Sequence, residues 1–505
     1  MPSRPRAEDL PELFNQADSG TAAGIEKLAL ALLAIDRSND AELKEAATAG
    51  LVGLSARAWL ALDTTTRRSW WHAPAWSKTV SDRLRGRGPG PLGLVVGTFH
   101  PDGHVREAYV ARITELNDVV LTTALAVRTA DWVSQVRDRA RVGMELRLLE
   151  GSGDVLLAAA PVALTMRARR EATWLAERIE DRLREGSEAE LQAALAARDW
   201  RTRRAAYEAA IEKKKLPLAA LVQAATRDRD LPIRTRCARA AVALALEEGT
   251  PDALRPLLEG GTALVRGEAV TALAKAGEVA AAQAALDDQS SIVRWCAQVA
   301  IRLAGGDPAE HYRQRLRLEP PSPARVAGLG ETGSTSDIET LAAWLGYPKA
   351  RVRAEAVRAL RKLGEATPDR ILHLLADPSA AVTRQVVRAL TSHARALDGD
   401  LLHALLEIGH PRHVRVGAYR LVRQRDTWIR LATDLRLLLD HETALSTRAG
   451  ADIEFWLRRE AATAYKQPSG ALAAELDSLI TSAEPSLGHR ATKDLRFHLG
   501  LQRRQ

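Results

Sequence analysis

The sequence predicts an all-α protein built from tandem two-helix repeats, and three observations lead to this fold class. The composition is 46% hydrophobic but only 4% aromatic, which favours packed helices over β-sandwiches. Val-Arg pairs followed by a small residue recur inside apolar, helix-like runs. These pairs also return at a nearly constant interval, and self-similarity on this scale is typical of a solenoid.

The interval is measured between the arginines of the pairs and their close variants. The marker arginines are Arg106, Arg137, Arg203, Arg234, Arg266, Arg294, Arg325, Arg353, Arg384, Arg415 and Arg448. Their successive separations are 31, 66, 31, 32, 28, 31, 28, 31, 31 and 33 residues. The one double separation predicts a degenerate unit near Arg170, so the array has roughly twelve units.

The stretch from 337 to 364 illustrates one unit. Apolar residues over 338–345 share one helical face, residues 346–348 break the chain, and apolar residues over 352–363 mark a second face. Asp337 is placed to cap the first helix, and Gly364 to end the second. Neither short helix is stable alone, so each must bury its apolar side against neighbouring units.

The Val-Arg pair begins the second helix of each unit. The valine points into the core, and a small residue three positions after the arginine allows close helix approach. The arginine lies at the edge of this contact, where its stem covers apolar surface and its guanidinium can bridge to the turn of the adjacent unit. We expect a structural ladder to the recurring aspartates Asp131, Asp199, Asp230, Asp288 and Asp377.

With its D-x(4)-V-R-x-x-A motif, as in DWVSQVRDRA at 131–140, the chain resembles HEAT-repeat proteins, specifically the short-period bacterial HEAT-like kind. The resemblance covers about residues 95–460. It implies a right-handed α-α superhelix that presents an extended curved surface to a partner. It implies no cofactor.

The rest of the chain is expected to cap the array. We predict two helices over 21–62 in the N-terminal cap, since the first repeat would otherwise expose an apolar flank. The predicted segments are an N-terminal helical cap at 1–63, an irregular Trp/Gly-rich segment at 64–104, a first solenoid half at 95–317, a second half at 318–460 after a Pro/Gly-rich bend, and C-terminal capping helices with a basic tail at 461–505.

No pattern of catalytic, cofactor-binding or metal-ligating residues emerges. The glycine-rich stretch 86–97 lacks the Gly-Lys-Ser/Thr of a phosphate loop, and the histidine clusters lack ligand partners at fitting spacing. The start of the chain does not have the order of a signal peptide, and no long apolar run is present. We therefore expect a non-enzymatic, cytoplasmic protein without a membrane segment.

A dense aromatic and basic patch is the candidate partner-binding site. It comprises Trp70, Trp71 and Trp76 with Arg67 and Arg68, and large aromatics with arginines dominate binding hot spots. The alternative is that the tryptophans plug the end of the superhelix as core. The function predicted first is a scaffold or adaptor that binds a protein partner.

Nucleic-acid binding is the alternative function. The formal net charge is +8, and basic residues concentrate at 198–215 and 411–430, with tryptophans available for base stacking. HEAT-like DNA glycosylases use tryptophans and an aspartate, and Asp199 or Asp131 superficially fits that chemistry; both stand where a helix cap is expected. The candidate nucleic-acid contacts are Trp200, Arg203, Arg204, Lys213, Arg420, Arg423 and Trp428.

Overall fold

The computed structural model describes residues 6–69, 89–150, 153–440, 442–464 and 467–501. Every regular element in these residues is a helix, and the predicted fold class, an all-α solenoid of HEAT-like helix pairs, is confirmed. The chain divides into two compact units, Met1–Val265 and Arg266–Gln505. No helix among the described residues combines the length and apolar character needed to cross a membrane.

The α-helices of the first unit are α1 (Leu10–Asp18), α2 (Ala22–Arg37), α3 (Ala41–Val52), α4 (Ala56–Ser69), α5 (Pro91–Thr98), α6 (Gly103–Thr114), α7 (Val119–Arg128), α8 (Ser134–Glu150), α9 (Gly153–Met166), α10 (Thr173–Glu185), α11 (Glu188–Leu195), α12 (Trp200–Glu212), α13 (Leu218–Arg227), α14 (Leu231–Glu247) and α15 (Arg255–Gly260). Helix α16 (Ala263–Lys275) contains the division. The α-helices of the second unit that follow are α17 (Val279–Ala285), α18 (Ser291–Leu303), α19 (Pro308–Leu318), α20 (Pro323–Thr332), α21 (Ile338–Ala343), α22 (Ala350–Lys362), α23 (Pro368–Ile371), α24 (Ala380–Leu390), α25 (Gly399–Ala404), α26 (Arg412–Val422), α27 (Thr427–Leu438), α28 (Thr443–Arg459), α29 (Gly470–Leu487) and α30 (His489–His498).

The N-terminal cap contains more helices than predicted. The sequence predicts one helix over about 40–62, but the structure has α3 and α4 there, separated at residues 53–55. The Ser55 amide donates to the Asp18 carboxylate (2.9 Å) and the Ser55 hydroxyl accepts from the Ala58 amide. This break is fixed by a tertiary hydrogen bond from α1, which helical periodicity alone does not reveal.

The segment predicted to be irregular over 64–104 is partly helical. Helix α4 continues to Ser69, and α5 forms a buried helix in the glycine-rich run, with Pro91 in its first turn. A Cβ added at Gly97 would lie 2.2 Å from Cδ1 of Tyr109. The glycine at 97 therefore serves close helix packing, which the prediction of an irregular segment did not foresee.

The repeat unit at 337–364 forms near the predicted bounds. A short α21 and a 3-10 turn (Trp344–Gly346) precede α22, whose buried residues include Val352 and Val357, and Gly364 follows with φ +80°. The second helices of consecutive units pack on one another, α20 on α22, α22 on α24 and α24 on α26. This contact is the continuous core of the repeat array.

The marker arginines form the predicted ladder through a recurring set of bonds. Arg353 Nη1 donates to the carbonyl oxygens of Tyr347 (2.8 Å) and Pro348 (3.0 Å) in its own turn. Its Nε and Nη2 both donate to the carboxylate of Asp377 in the next turn, each at 2.8 Å. Arg106 repeats the arrangement with Asp131. One guanidinium therefore closes its own turn and ties it to the following unit.

The ladder is not uniform along the chain. Arg325 pairs with the preceding Asp287 (2.8 Å) and with Glu319. Arg384 and Arg448 are exposed and make no ion pair with any described residue, and Asp199 caps α12 through Thr202. The predicted bridge is therefore absent at these positions: no described carboxylate of the following turn pairs with Arg325, Arg384 or Arg448, and the carboxylate of Asp199 caps its own helix instead.

The predicted Pro/Gly-rich bend does not mark the division between the compact units. The predicted halves meet at residue 318, whereas the units meet at Val265 and Arg266. Helices α19 and α20 pack together across the run, and Ser322 caps α20. Proline at a helix start is compatible with continuous packing, so this run does not interrupt the array.

Candidate partner-binding site

Only part of the predicted aromatic patch lies in the described chain. Trp70, Trp71 and Trp76 fall outside the described residues. Arg67 is half-buried at the end of α4, donates from Nη2 to Asp63 (2.8 Å), and places its guanidinium carbon 4.1 Å from the centre of the Trp132 ring. Arg68 is exposed. Arg67 therefore meets a tryptophan from a different repeat.

These arginines line a cleft of about 320 Å³ in the first unit. The cleft lies between the end of α4, the turn from α7 to α8 and the turn after α9. Its lining is unusually rich in arginine. The lining residues are Asp63, Thr64, Arg67, Arg68, Val127, Arg128, Ala130, Asp131, Trp132 and Arg169.

A buried ion network forms the base of the cleft. Asp131 receives two hydrogen bonds from Arg106 (3.0 and 2.8 Å) and one from Arg128 (2.9 Å), while Arg128 Nη2 contacts Asp63 at 2.5 Å. Burial raises the pKa of Asp131, but the Arg106 hydrogen bonds and the Arg128 charge outweigh burial and lower it. Asp131 is therefore ionised and held in place.

The cleft carries more positive than negative charge. Five arginines, namely the four in its wall and Arg106 beneath it, face two aspartates, an excess of three positive charges. Burial lowers the pKa of Arg67, and the nearby charges of Arg128 and Arg106 lower it further against the opposing effect of Asp63. The guanidinium groups are crowded, and an anion at this point would relieve their repulsion.

Tryptophans with guanidinium groups over their rings mark the starts of three successive second helices. The distances from guanidinium carbon to ring centre are 4.6 Å for Arg106 on Trp132, 5.3 Å for Arg141 on Trp174 and 4.1 Å for Arg204 on Trp200. We call this surface the Trp/Arg edge, defined by these three tryptophans and the turns at 129–133, 167–172, 196–199 and 228–230.

Packing of the second helices holds these turns in a row. Helix α6 packs against α8, α10 against α12, and α12 against α14. Arg141 of α8 donates to the carbonyl oxygen of Glu171 (2.8 Å), which joins α8 to the turn before α10. The repeat spacing thus brings residues far apart in sequence to one edge of the first unit.

The Trp/Arg edge has exposed arginines, whereas the acidic side chains of its turns are bound to other protein groups. The acidic side chains of its turns are bound to protein groups: Asp131 in the buried network, Glu171 to Arg141, Asp199 to Thr202, Asp228 to Arg203 and Asp230 to Arg204. The arginines in or directly beside these turns that are exposed and form no ion pair within the described chain are Arg169, Arg170, Arg198, Arg227 and Arg229.

Exposed acids lie at the other ends of three of these helices, whereas Lys213, Lys214 and Lys215 follow the end of α12. Glu150 ends α8, Glu185 ends α10 and Glu248 follows α14, and all three are exposed. The exposed arginines of the Trp/Arg edge therefore create a local positive field that the modest net charge of the whole chain does not reveal.

The predicted nucleic-acid contacts of the first unit are not brought together. Trp200, Arg203 and Arg204 lie at the start of α12, whereas Lys213 follows its end, about 20 Å away at 1.5 Å per residue. Arg203 donates to two carbonyls of its own turn, and Arg204 forms a two-pronged bond to Asp230 at 2.8 Å. Both arginines are structural rungs of the ladder.

The predicted contacts of the second unit are also largely structural. Trp428 is only 5% exposed and packs edge-on against Trp456, with ring centres 5.8 Å apart. A base cannot stack on this ring, so that prediction is wrong. Arg423 contacts Asp452, and Arg420 is exposed at the end of α26. Among the described residues, no exposed aromatic ring comparable to Trp200 contacts either arginine, and Arg423 lies over the buried ring of Tyr419.

The aspartates considered for glycosylase chemistry have structural roles. Asp199 accepts from the Thr202 amide (2.8 Å) and hydroxyl (3.0 Å), and Asp131 lies in the buried ion network. Within the described residues no group of three or more His, Cys, Asp or Glu side chains is arranged to hold a metal ion.

Sequence reasoning missed several residues of this surface, among them Trp174, Arg128 and Arg169. Trp174 lies in the degenerate unit, where the Val-Arg pattern is lost; Arg128 follows Val127 but is off the repeat interval, and Arg169 follows an alanine. The available signal was the recurrence of tryptophan and arginine around each turn, as in RTADW at 128–132 and ARDWR at 197–201.

Comparisons with known proteins agree with the repeat assignment. Residues 324–391 match the family model described as HEAT repeats. A chain in a structure of Kap95p with RanGDP is 14% identical, with a TM-score of 0.34 over 97% of this chain and 71% of that one. Importin beta crystallised in a polyethylene glycol condition is 13% identical, with a TM-score of 0.26 over 96% of this chain and 66% of that one. These TM-scores are low, so the similarity is no guide to what the chain binds. No curated protein sequence matches significantly.

Proposed function

We propose that the chain is a non-enzymatic HEAT-repeat adaptor that binds an acidic segment of a protein partner along the Trp/Arg edge. The observation that carries the proposal is the row of exposed, unpaired arginines beside tryptophans, on turns whose own acids are already bonded. Such a surface lacks counter-charges of its own, and a complementary acidic chain supplies them.

The stacking pattern favours a protein over a nucleic acid. Two guanidinium groups lie over Trp200, those of Arg201 and Arg204, each 4.1 Å from the ring centre. A base would have to displace them in order to stack. Arg204 already donates to Asp230, whereas Arg201 forms no ion pair within the described chain, and its N–H donors match carboxylates.

The adaptor is proposed to act in a reducing, cytoplasmic compartment. Its two cysteines, Cys237 and Cys296, are both free thiols. Burial raises the pKa of Cys237 to about 12, so this thiol resists ionisation and serves as a small core residue.

The test compares charge reversals at the two ends of α12. Full-length protein is titrated with a fluorescent acidic peptide and, separately, with single-stranded DNA. Arg198→Glu reverses a charge on the Trp/Arg edge, and Lys213→Glu reverses one at the other end; both side chains are exposed. We expect Arg198→Glu to weaken peptide binding about fivefold, near 1 kcal/mol, and Lys213→Glu to leave it unchanged. Tight DNA binding without peptide binding would support the nucleic-acid alternative instead.

A further inference from the structure

The arginine-rich cleft contains buried donors that no described residue satisfies. Nε and Nη1 of Arg67 and Nε of Arg128 are fully shielded from solvent and have no acceptor among the described groups. An unsatisfied buried donor on a charged group is unfavourable, because no hydrogen bond compensates the loss of its hydration. The side chains that carry these donors line the same cleft as two exposed arginines, Arg68 and Arg169.

The number of donors and the charge indicate the kind of anion. A carboxylate supplies two oxygens and one negative charge, and the cleft has an excess of three positive charges. A phosphomonoester supplies three terminal oxygens and a charge of about −1.5 to −2. Guanidinium groups bind phosphate through two parallel N–H bonds. The phosphomonoester therefore matches the donors and the charge better.

The size and the wall of the cleft also fit such a group. Its volume of about 320 Å³ lies at the lower end of the roughly 300–1,000 Å³ usual for small-molecule sites. Trp132 is 65% exposed beside it and offers an apolar surface for the carbon atoms that carry the phosphate.

We infer that this cleft binds the phosphate of a phosphorylated side chain on the partner's acidic segment. The inference rests on the proposed function, because the segment along the Trp/Arg edge delivers the phosphate to the cleft. Arg67 and Arg128 form the floor of the site, since the ion pairs with Asp63 and Asp131 hold them in place. Arg68 and Arg169, free to move at the mouth, close on the remaining oxygens.

The experiment uses the full-length chain and three fluorescent peptides that share one acidic sequence. Their central residue is Ser, Glu or phosphoserine. The double variant Arg68→Gln/Arg169→Gln removes two charges at the cleft without breaking an ion pair of the described structure. The double variant Arg227→Gln/Arg229→Gln removes two charges on the Trp/Arg edge outside the cleft and is the matched control.

We expect phosphoserine to bind at least about tenfold tighter than Ser, with Glu between them. Arg68→Gln/Arg169→Gln should abolish the preference for phosphoserine. Arg227→Gln/Arg229→Gln should weaken all three peptides by the same factor and keep the preference. Equal affinity for phosphoserine and Ser would overturn the phosphate site and leave the proposed function standing.

If no peptide binds, the proposed function fails, and with it the inference that a partner segment delivers the phosphate. Phenyl phosphate and a nucleoside monophosphate are then titrated, and the melting temperature is followed. These titrations show whether the cleft binds the phosphate of a free small molecule. Stabilisation of the wild type but not of Arg68→Gln/Arg169→Gln would assign the cleft to a free phosphomonoester. No stabilisation by either compound would remove the anion site altogether.

Discussion

Replacing Arg353 by alanine tests whether the marker arginines act as structural rungs. The substitution removes two bonds to carbonyls of its own turn and two to the carboxylate of Asp377, all between 2.8 and 3.0 Å. The Asp377 side chain is 4% exposed and would retain the bond from the Ser379 amide. Burial raises the pKa of Asp377, but its bonds to Arg353 and Ser379 outweigh burial and lower it.

The expected cost follows from this environment. Breaking a buried ion pair by removing one partner costs about 3–5 kcal/mol, and a single charge-assisted hydrogen bond about 1.5–3 kcal/mol. The Arg353 side chain is 14% exposed, so water can partly replace it at the carboxylate. We therefore expect Arg353→Ala to destabilise this region by about 2–4 kcal/mol.

Arg384→Ala is the matched control for this prediction. Arg384 occupies the same repeat position but is exposed, without an ion pair in the described chain, so its loss should cost at most about 0.5 kcal/mol. Urea unfolding followed by circular dichroism, with hydrogen exchange resolved over residues 338–390, measures both variants. Equal and small effects would refute the claim that the Val-Arg arginine holds neighbouring units together.

Three further predictions concern burial and packing. Burial raises the pKa of Asp434 to about 8, so the stability that its protonated carboxyl contributes is fully present below about pH 4 and is lost as the pH rises through about 8. Asp434→Asn should therefore flatten the fall in melting temperature from about pH 6 to pH 9. An unchanged slope of melting temperature against pH would refute this prediction. Trp428→Ala should destabilise by about 3–5 kcal/mol because the ring is core, whereas Trp200→Ala should cost below about 1.5 kcal/mol; calorimetric melting compares the two. Gly97→Ala should lower stability by about 1–3 kcal/mol, because the added methyl group would collide with the Tyr109 ring. A melting temperature equal to that of the wild type would contradict this close contact between residue 97 and Tyr109.

The repeat architecture could be predicted because its signal is local and repeated. A valine, an arginine and a small residue recur at one position of each unit, and only stacking of the units buries the valine and pairs the arginine. The predicted bridge from Arg353 to Asp377 is confirmed by their two hydrogen bonds. The exceptions at Arg384 and Arg448 depend on whether the neighbouring turn supplies a carboxylate.

The candidate site could be predicted less well because single-residue register decides which side chains are exposed. Trp200 directly follows the capping Asp199, whereas Trp428 comes two residues after the capping Asp426. One residue rotates a side chain by about 100° around the helix, and Trp428 is buried while Trp200 is 39% exposed. The arginine-rich cleft combines α4 with two later turns, a proximity that only the stacked structure provides.

Hydrogen exchange of the full-length chain with and without a saturating acidic peptide shows whether the peptide binds along the Trp/Arg edge. Binding along the Trp/Arg edge predicts slower amide exchange in the turns at 167–172, 196–199 and 228–230. The other ends of the same helices, near Glu150, Glu185 and Glu248, should exchange at unchanged rates. Protection confined to those acidic ends or to the second unit, with none in the three turns, would contradict binding along the Trp/Arg edge.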